Sequence, residues 1–291
     1  MVSWLWLCAA LLQLSGASEA PVRTTLTDSD PVRLLVFDAI MPRQQLEFEA
    51  PPDFVRSLVE MLRAGTSLVM VGRQRLNPYT HGVEVTTEMT PCSNDGSAIV
   101  TLTARRLCEV IYLEDTEDEG SRWLGQAARA RWIDIGGLDA SEDLSAKLAK
   151  GPQNPHTADG EGLQTLRERS EALSAAVSLW VLLVRDGRER FDGQMDALLA
   201  TMGSMPPADA INDRCLWIAA LINPLPALGV AVEIRGPVMM APTGVDKLLI
   251  VEFALQDSIG RLQKAGSPFR RRLRATGKPA SAAGRGFYYM C

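Results

Sequence analysis

The chain has 291 residues, of which 46% are hydrophobic and 22% are charged, so it can fold into one or two domains and is not disordered throughout. The formal net charge is −5, and residues 266–291 carry six cations and no acid, which leaves −11 on residues 1–265. An acidic body of this kind disfavours a broad phosphate-binding surface, because nucleic-acid binding depends on many lysine and arginine contacts.

The chain begins with an apolar segment over residues 2–14, which is followed by the small residues Ser15 and Ala17. The segment is too short to span a bilayer and is typical of a secretory signal peptide, so residues 1–17 are predicted to be removed by cleavage after Ala17. This predicts entry into the secretory pathway or an organelle. If the segment is instead a buried amino-terminal helix, the protein would be cytoplasmic. Residues 18–31 are polar, carry two prolines and are predicted to form a linker.

A β domain is predicted over residues 32–150. Its strands surround one helix, for which Asp53 is the expected amino-terminal cap, and residues 104–106 are expected to form a hairpin turn. A last strand between Trp123 and Ile135 would close a curled sheet or small barrel. The earlier strands are predicted at residues 32–37, 46–49, 66–71, 82–89, 98–103 and 107–113.

The second half of the chain has the apolar spacing of helices. Residues 151–162, with two prolines and three glycines, are predicted to be a second linker, and residues 163–265 a helical bundle. The first long helix is expected to kink at Gly187, and Thr243 is expected to cap the last one. Residues 266–291 are predicted to be a basic, disordered tail.

Cysteine spacing predicts neither a zinc site nor a disulfide framework. The cysteines that follow the apolar segment are widely and irregularly spaced, no Cys-x-x-Cys occurs, and the chain has only two histidines. Cys108 lies in an alternating strand pattern and is predicted to be a buried thiol, with a disulfide to Cys92 as the alternative. The pattern leaves the states of Cys215 and Cys291 open.

The sequence lacks the motifs of nucleotide hydrolysis and of common hydrolases. No glycine stands upstream of Gly277 and Lys278 at the spacing of a phosphate-binding loop, and neither Gly-x-Ser-x-Gly nor His-Glu-x-x-His occurs. His81 is interpreted as a turn residue rather than a general base. The chain is therefore predicted not to be an enzyme and to bind no cofactor, nucleotide or metal.

Several segments together resemble the amino-terminal domain of Lon proteases. They are the runs at 34–37 (LLVF), 46–49 (LEFE) and 95–100 (DGSAIV), and the later segment 213–219 (DRCLWIA). The resemblance implies an α+β fold in which a PUA-like curled β-sheet or pseudo-barrel with one short helix is followed by an α-helical bundle. It also implies a role in engaging unfolded or tagged protein substrates.

We therefore expect a non-catalytic module that recognises unfolded or extended polypeptides in proteostasis, through an exposed strand edge and a shallow apolar groove. Met41, Phe54 and Tyr79 are the candidate groove residues. One alternative is the recognition portion of a longer ATP-dependent Lon-like protease, cut short in the gene model. A second is a PUA-like RNA-binding protein that uses the basic tail. The expected partners are polypeptide clients or a partner protein, nucleic acid is disfavoured by the acidic body, and the oligomeric state is not predicted.

Overall fold

The computed structural model describes residues 29–74, 77–92, 96–112, 127–133 and 159–276. The predicted signal peptide, most of the first predicted linker and residues 277–291 lie outside these ranges. The strands within them are β1 (Asp30–Val36), β2 (Gln45–Ala50), β3 (Ser67–Val71), β4 (Arg73–Gln74), β5 (Asn77–Pro78), β6 (His81–Pro91), β7 (Ala98–Tyr112) and β8 (Ala127–Trp132). The helices are α1 (Pro52–Arg63), α2 (Asp159–Arg185), α3 (Gln194–Met202), α4 (Ile211–Ile222), α5 (Arg235–Met240) and α6 (Gly244–Thr276).

Six strands form one mixed sheet that closes on itself. Its order is β2-β7-β6-β3-β1-β8, and β8 also pairs with β7, so that β7, β6, β3, β1 and β8 complete a ring. Only the pairing of β1 with β3 is parallel among those of the six strands. The expected α+β fold and the closing strand near Trp132 are thus present.

Strand β7 is continuous where the sequence predicted a hairpin turn at 104–106, so that prediction is wrong. The register with β6 shifts at this point, so that Arg105 and Arg106 lie opposite the single residue Glu84. Arg106 donates from Nε to Glu84 at 2.7 Å, and its guanidinium carbon lies 4.2 Å from the ring centre of Trp132. Such a bulge bends a strand, which allows β7 to pair with β2 along its first half and with β8 along its second.

Helix α1 fills one side of the sheet. It begins at Pro52, a favoured residue for a first helical turn, and no side chain caps it, so the predicted Asp53 cap is wrong. Phe54 on α1 packs edge to face against Phe48 of β2, with ring centres 5.6 Å apart. The buried residues of the helix are Phe54, Leu58 and Met61.

The helices differ from the sequence prediction mainly at their ends. Helix α2 begins at Asp159, inside the predicted linker, and ends at Arg185 rather than kinking, because Gly187 adopts a left-handed φ of 99°. The predicted Thr243 cap is present, since its Oγ accepts from the backbone N–H of Asp246 at 3.1 Å. Helix α6 spans Gly244–Thr276, so it overlaps the first part of the predicted basic tail, residues 266–276.

The barrel and the helices share one hydrophobic core. A single cluster of buried side chains runs from Leu35 and Phe48 in the barrel to Trp180 and Leu255 in the helices. A smaller cluster lies between β1, β3, β7 and β8. Because apolar packing is continuous between the two parts, their relative position is set by close contact rather than by a linker alone.

The three described cysteines are free thiols, so the alternative disulfide between Cys92 and Cys108 is not formed. Cys92 is exposed, whereas Cys108 is buried, as predicted, with its Sγ 3.5 Å from the carbonyl oxygen of Gly82. Burial raises the pKa of Cys108 and of the equally buried Cys215 to about 12.

Candidate functional site

A short turn before β2 joins the barrel to the helices. Gln44 in this turn is 2% exposed, and its Nε2 donates to the carbonyl oxygens of Ala220 and Asn223, both at 2.9 Å. Its Oε1 accepts from the backbone N–H of Met41 at 2.9 Å. All three hydrogen bonds are buried, so the turn is held firmly against the end of α4.

The neighbouring Arg43 has a left-handed backbone with φ of 74°, the only non-glycine residue with positive φ among those described. Its backbone N–H donates to the carbonyl of Ala104 at 3.1 Å, and its guanidinium donates to Asp213 Oδ2 at 2.8 Å. This conformation is costly for a residue with a Cβ and persists only where the surroundings impose it. Arg43 is therefore held in place from both the barrel and the helices.

The turn borders two cavities, of about 600 Å³ and about 170 Å³, which share Arg43, Gln45 and Thr201. We refer to them together as the junction groove. The larger cavity is lined by Pro42, Arg43, Gln45, Glu88, Thr103, Ala104, Arg105, Thr201 and Asp213. The smaller is lined by Arg43, Gln44, Gln45, Phe191, Gln194, Ala197, Leu198, Thr201, Pro224, Leu225 and Pro226.

The two parts of the junction groove differ in chemistry. The smaller part is largely apolar, and Phe191 in its wall is 54% exposed. The larger part presents two arginines, two acids and two threonines, of which Arg43 and Asp213 already form an ion pair. An apolar wall beside convergent polar groups can hold an extended chain by side-chain burial and by hydrogen bonds.

A separate group of contacts between the barrel and the helices surrounds Arg235. This guanidinium is 3% exposed and donates to Asp38 at 3.0 Å and to Glu233 at 2.8 Å. Tyr79 packs so closely on Gly236 that a Cβ there would lie 2.3 Å from the tyrosine ring. Burial, with the charges of Glu233 and Asp38, raises the pKa of Tyr79. Tyr79 thus anchors the barrel to α5.

None of the three predicted groove residues lines the junction groove. Met41 and Phe54 are fully buried in the core and do not line this groove. Tyr79 is half-buried and packs on Gly236, next to Arg235. The apolar character of Met41 and Phe54 gave no means of separating a core position from a groove position. Arg43 and Gln44 were not predicted as site residues, because a polar residue in a turn gives the same sequence signal whether it is buried or exposed.

His81 begins β6, and its Nδ1 lies 3.1 Å from the Thr80 hydroxyl. Burial lowers the pKa of His81, an effect that Glu109 opposes and that Lys247 and Arg131 increase. Among the described residues, no group of three or more histidines, cysteines or acids is placed to hold a metal ion. None of the described helices combines the length and the apolar character needed to cross a membrane.

No family model and no curated protein matches the chain. Among solved structures, it is similar to a Lon N-terminal domain protein from Xanthomonas campestris, with 18% identity and a TM-score of 0.30 over 41% of this chain and 74% of that one. It is also similar to the N-terminal domain of Mycobacterium avium complex Lon protease, with 10% identity and a TM-score of 0.44 over 78% of this chain and 99% of that one. Both matches carry the name of the family that the sequence resembles, and at these identities the likeness concerns the fold alone.

Proposed function

We propose that this chain is a non-catalytic recognition module that binds unfolded or extended polypeptides in the junction groove. The observation that carries the proposal is the groove itself, in which an exposed apolar wall around Phe191 meets the polar wall around Arg43. Polypeptides offer both apolar side chains and backbone hydrogen-bonding groups, and such a groove complements both.

Rigid anchoring of the groove supports the same role. Gln44 fixes the turn through three buried hydrogen bonds, and Arg43 is held by Ala104 from the barrel and by Asp213 from α4. A preformed groove loses little conformational entropy when a client binds. The sequence resemblance to Lon amino-terminal domains points to the same class of client.

The test compares two phenylalanines of similar exposure in the full-length protein. Phe191 lines the groove and is 54% exposed, whereas Phe253 on α6 is 50% exposed and does not line it. We expect Phe191→Asp to weaken binding of a permanently unfolded, reduced and alkylated model protein by about tenfold, as for the loss of a buried aromatic contact. Phe253→Asp should bind like the unaltered protein.

Two results would contradict the proposal. One is equal retention of the unfolded model protein and of its native, folded form by the unaltered chain. The other is equal loss of binding in Phe191→Asp and Phe253→Asp, with both variants retaining the helical content of the unaltered protein by circular dichroism.

The proposal includes a place of action in the secretory pathway or an organelle, which rests on the apolar segment at 2–14. Sequencing the amino terminus of the mature protein tests this part separately. A start at Ser18 supports it, and a start at Met1 contradicts it without affecting the proposed binding.

A further inference from the structure

The second half of strand β6 has one free edge within the described residues. Strand β7 pairs with β6 as far as Pro91, whereas β3 pairs with β6 only at residues 83–85. Residues 86–91 therefore have a strand on one side, and no described strand lies on the other side. A free edge presents backbone groups that another extended chain can pair with.

The direction of these backbone groups follows from one hydrogen bond. The N–H of Cys92 donates to Ser97 O at 3.1 Å, so the backbone of Cys92 faces β7. Because the facing direction alternates along an antiparallel strand, Glu88 also faces β7, while the N–H and C=O of Thr87 and Met89 face the free edge. No hydrogen bond from elsewhere in the described chain reaches the backbone of Thr87 or Met89.

The exposed face beside this edge carries two carboxylates and the cation of Arg105, whose Nε donates to Thr86 Oγ1 at 3.4 Å. Glu47 of β2 and Glu88 of β6 both lie in register with Thr101 of β7, so the two carboxylates flank one threonine across three strands. Both glutamates are exposed, and neither forms an ion pair within the described part of the chain. Every second side chain of a strand added beside β6 would lie on this face, next to Glu88, where an opposite charge is favoured.

We propose that the free edge of β6 binds a client segment as an added antiparallel strand, and that Glu88 selects lysine or arginine at the position of that segment beside it. This inference rests on the proposed function and names its substrate class, an extended polypeptide with a basic residue beside Glu88. Glu88 also lines the junction groove, so the edge and the groove share this residue.

The probe is a fluorescein-labelled ten-residue peptide of alternating valine and lysine, with binding to the full-length protein measured by fluorescence anisotropy. In an added antiparallel strand, the residue opposite Glu88 directs its N–H away from β6. The residues opposite Thr87 and Met89 direct their N–H groups towards β6. With lysine beside Glu88, N-methylation of the valines should abolish binding. N-methylation of the lysines should leave most of it.

Substitutions of Glu88 test the preference for basic residues separately. We expect Glu88→Gln to weaken the valine-lysine peptide by about two- to fivefold, as for one cross-strand charge pair. Glu88→Arg should reverse the preference in favour of a valine-glutamate peptide. Glu168→Gln and Glu168→Arg on α2, which make the same changes in net charge at another exposed acid, should retain the preference for lysine.

Four outcomes would overturn the inference. Equal effects of the two N-methylation patterns exclude strand addition, and loss confined to the lysine-methylated peptide excludes the antiparallel direction. An unchanged charge preference in Glu88→Arg excludes the selecting role of the glutamate. A dimer that light scattering detects and that Glu88→Arg dissociates would assign the edge to a second copy of the chain. If these occur while Phe191→Asp still weakens binding of the unfolded protein, the proposed function stands and only the edge assignment fails.

Discussion

Arg43 and Asp213 lie 170 residues apart in the chain, and their side chains meet at 2.8 Å where the barrel contacts the helices. The two groups are 38% and 29% exposed, so solvent screens their attraction and the pair contributes at most about 1 kcal/mol. The left-handed backbone of Arg43 costs a similar amount. The backbone strain at Arg43 thus offsets the stabilisation that this residue gains from its ion pair with Asp213.

The strain at Arg43 predicts an unusual order of stability for two variants. Both Arg43→Ala and Arg43→Gly lose the ion pair, but only glycine adopts a φ of 74° without steric cost. We expect Arg43→Gly to unfold in urea with a free energy about 1 kcal/mol higher than that of Arg43→Ala. Arg56, which lies on the exposed side of α1, provides the control, since Arg56→Gly should there be about 1 kcal/mol less stable than Arg56→Ala. The same order at both sites would contradict the prediction.

The contact between Tyr79 and Gly236 predicts a clash. A Cβ on residue 236 would lie 2.3 Å from the tyrosine ring, so Gly236→Ala should lower the free energy of unfolding by about 1–3 kcal/mol. Adding Tyr79→Ala should cost much less in this background than in the unaltered protein, because the clash is then absent. Gly260→Ala on α6, where nothing lies within 4 Å of the added atom, should be neutral or stabilising by up to about 1 kcal/mol. Independent, additive effects at 79 and 236 would argue against the contact.

The described cysteines predict a definite labelling pattern in a variant in which Cys8 and Cys291 are serine. Cys92 is exposed and should react with a thiol reagent in the folded protein at neutral pH. Burial raises the pKa of Cys108 and Cys215 to about 12, so both should react only after unfolding. Mass spectrometry should therefore find one label on the folded chain and three on the unfolded chain. Labelling of Cys215 alone after unfolding would indicate a disulfide between the other two cysteines.

His81 predicts a pH dependence of stability. Burial lowers its pKa in the folded chain below the ordinary value of 6.5, so the unfolded chain takes up a proton first as the pH falls. The free energy of unfolding should therefore decrease as the pH falls through 6.5, and this contribution should level off below the folded-state pKa. His81→Gln should remove the contribution between about pH 5.5 and pH 7.5, where ordinary carboxylates stay ionised. Urea unfolding curves at several pH values test this, and an unchanged slope in His81→Gln would rule it out.

The sequence predicted the α+β fold and its main strands because their signals are local. Alternating apolar residues indicate a half-buried strand wherever they occur, and the hydroxyl of Thr243 beside Asp246 indicates a helix start. The bulge at Arg105 and Arg106 was predicted as a turn, because two adjacent charged residues interrupt the alternation in either case. Only the position of both arginines opposite Glu84 distinguishes a bulge from a turn.

The junction groove could not be predicted in the same way. Its walls come from segments that are far apart in the chain, and the partners of Gln44 lie 176 and 179 residues away. The sequence does not distinguish a buried glutamine from an exposed one, and no sequence pattern indicates that an arginine has a left-handed backbone. Met41 and Phe54 were selected for their apolar character, which suits a core at least as well as a groove.

Ring closure of the barrel has a consequence for how the protein is made. Strand β1 emerges from the ribosome early, yet its antiparallel partner β8 follows about 100 residues later, as the contact between Ser29 and Arg129 shows. Until residue 132 is synthesised, β1 and the second half of β7 remain without that partner. A nascent chain that stalls before residue 127 therefore exposes the unpaired edges of β1 and β7, and it becomes a substrate for chaperones.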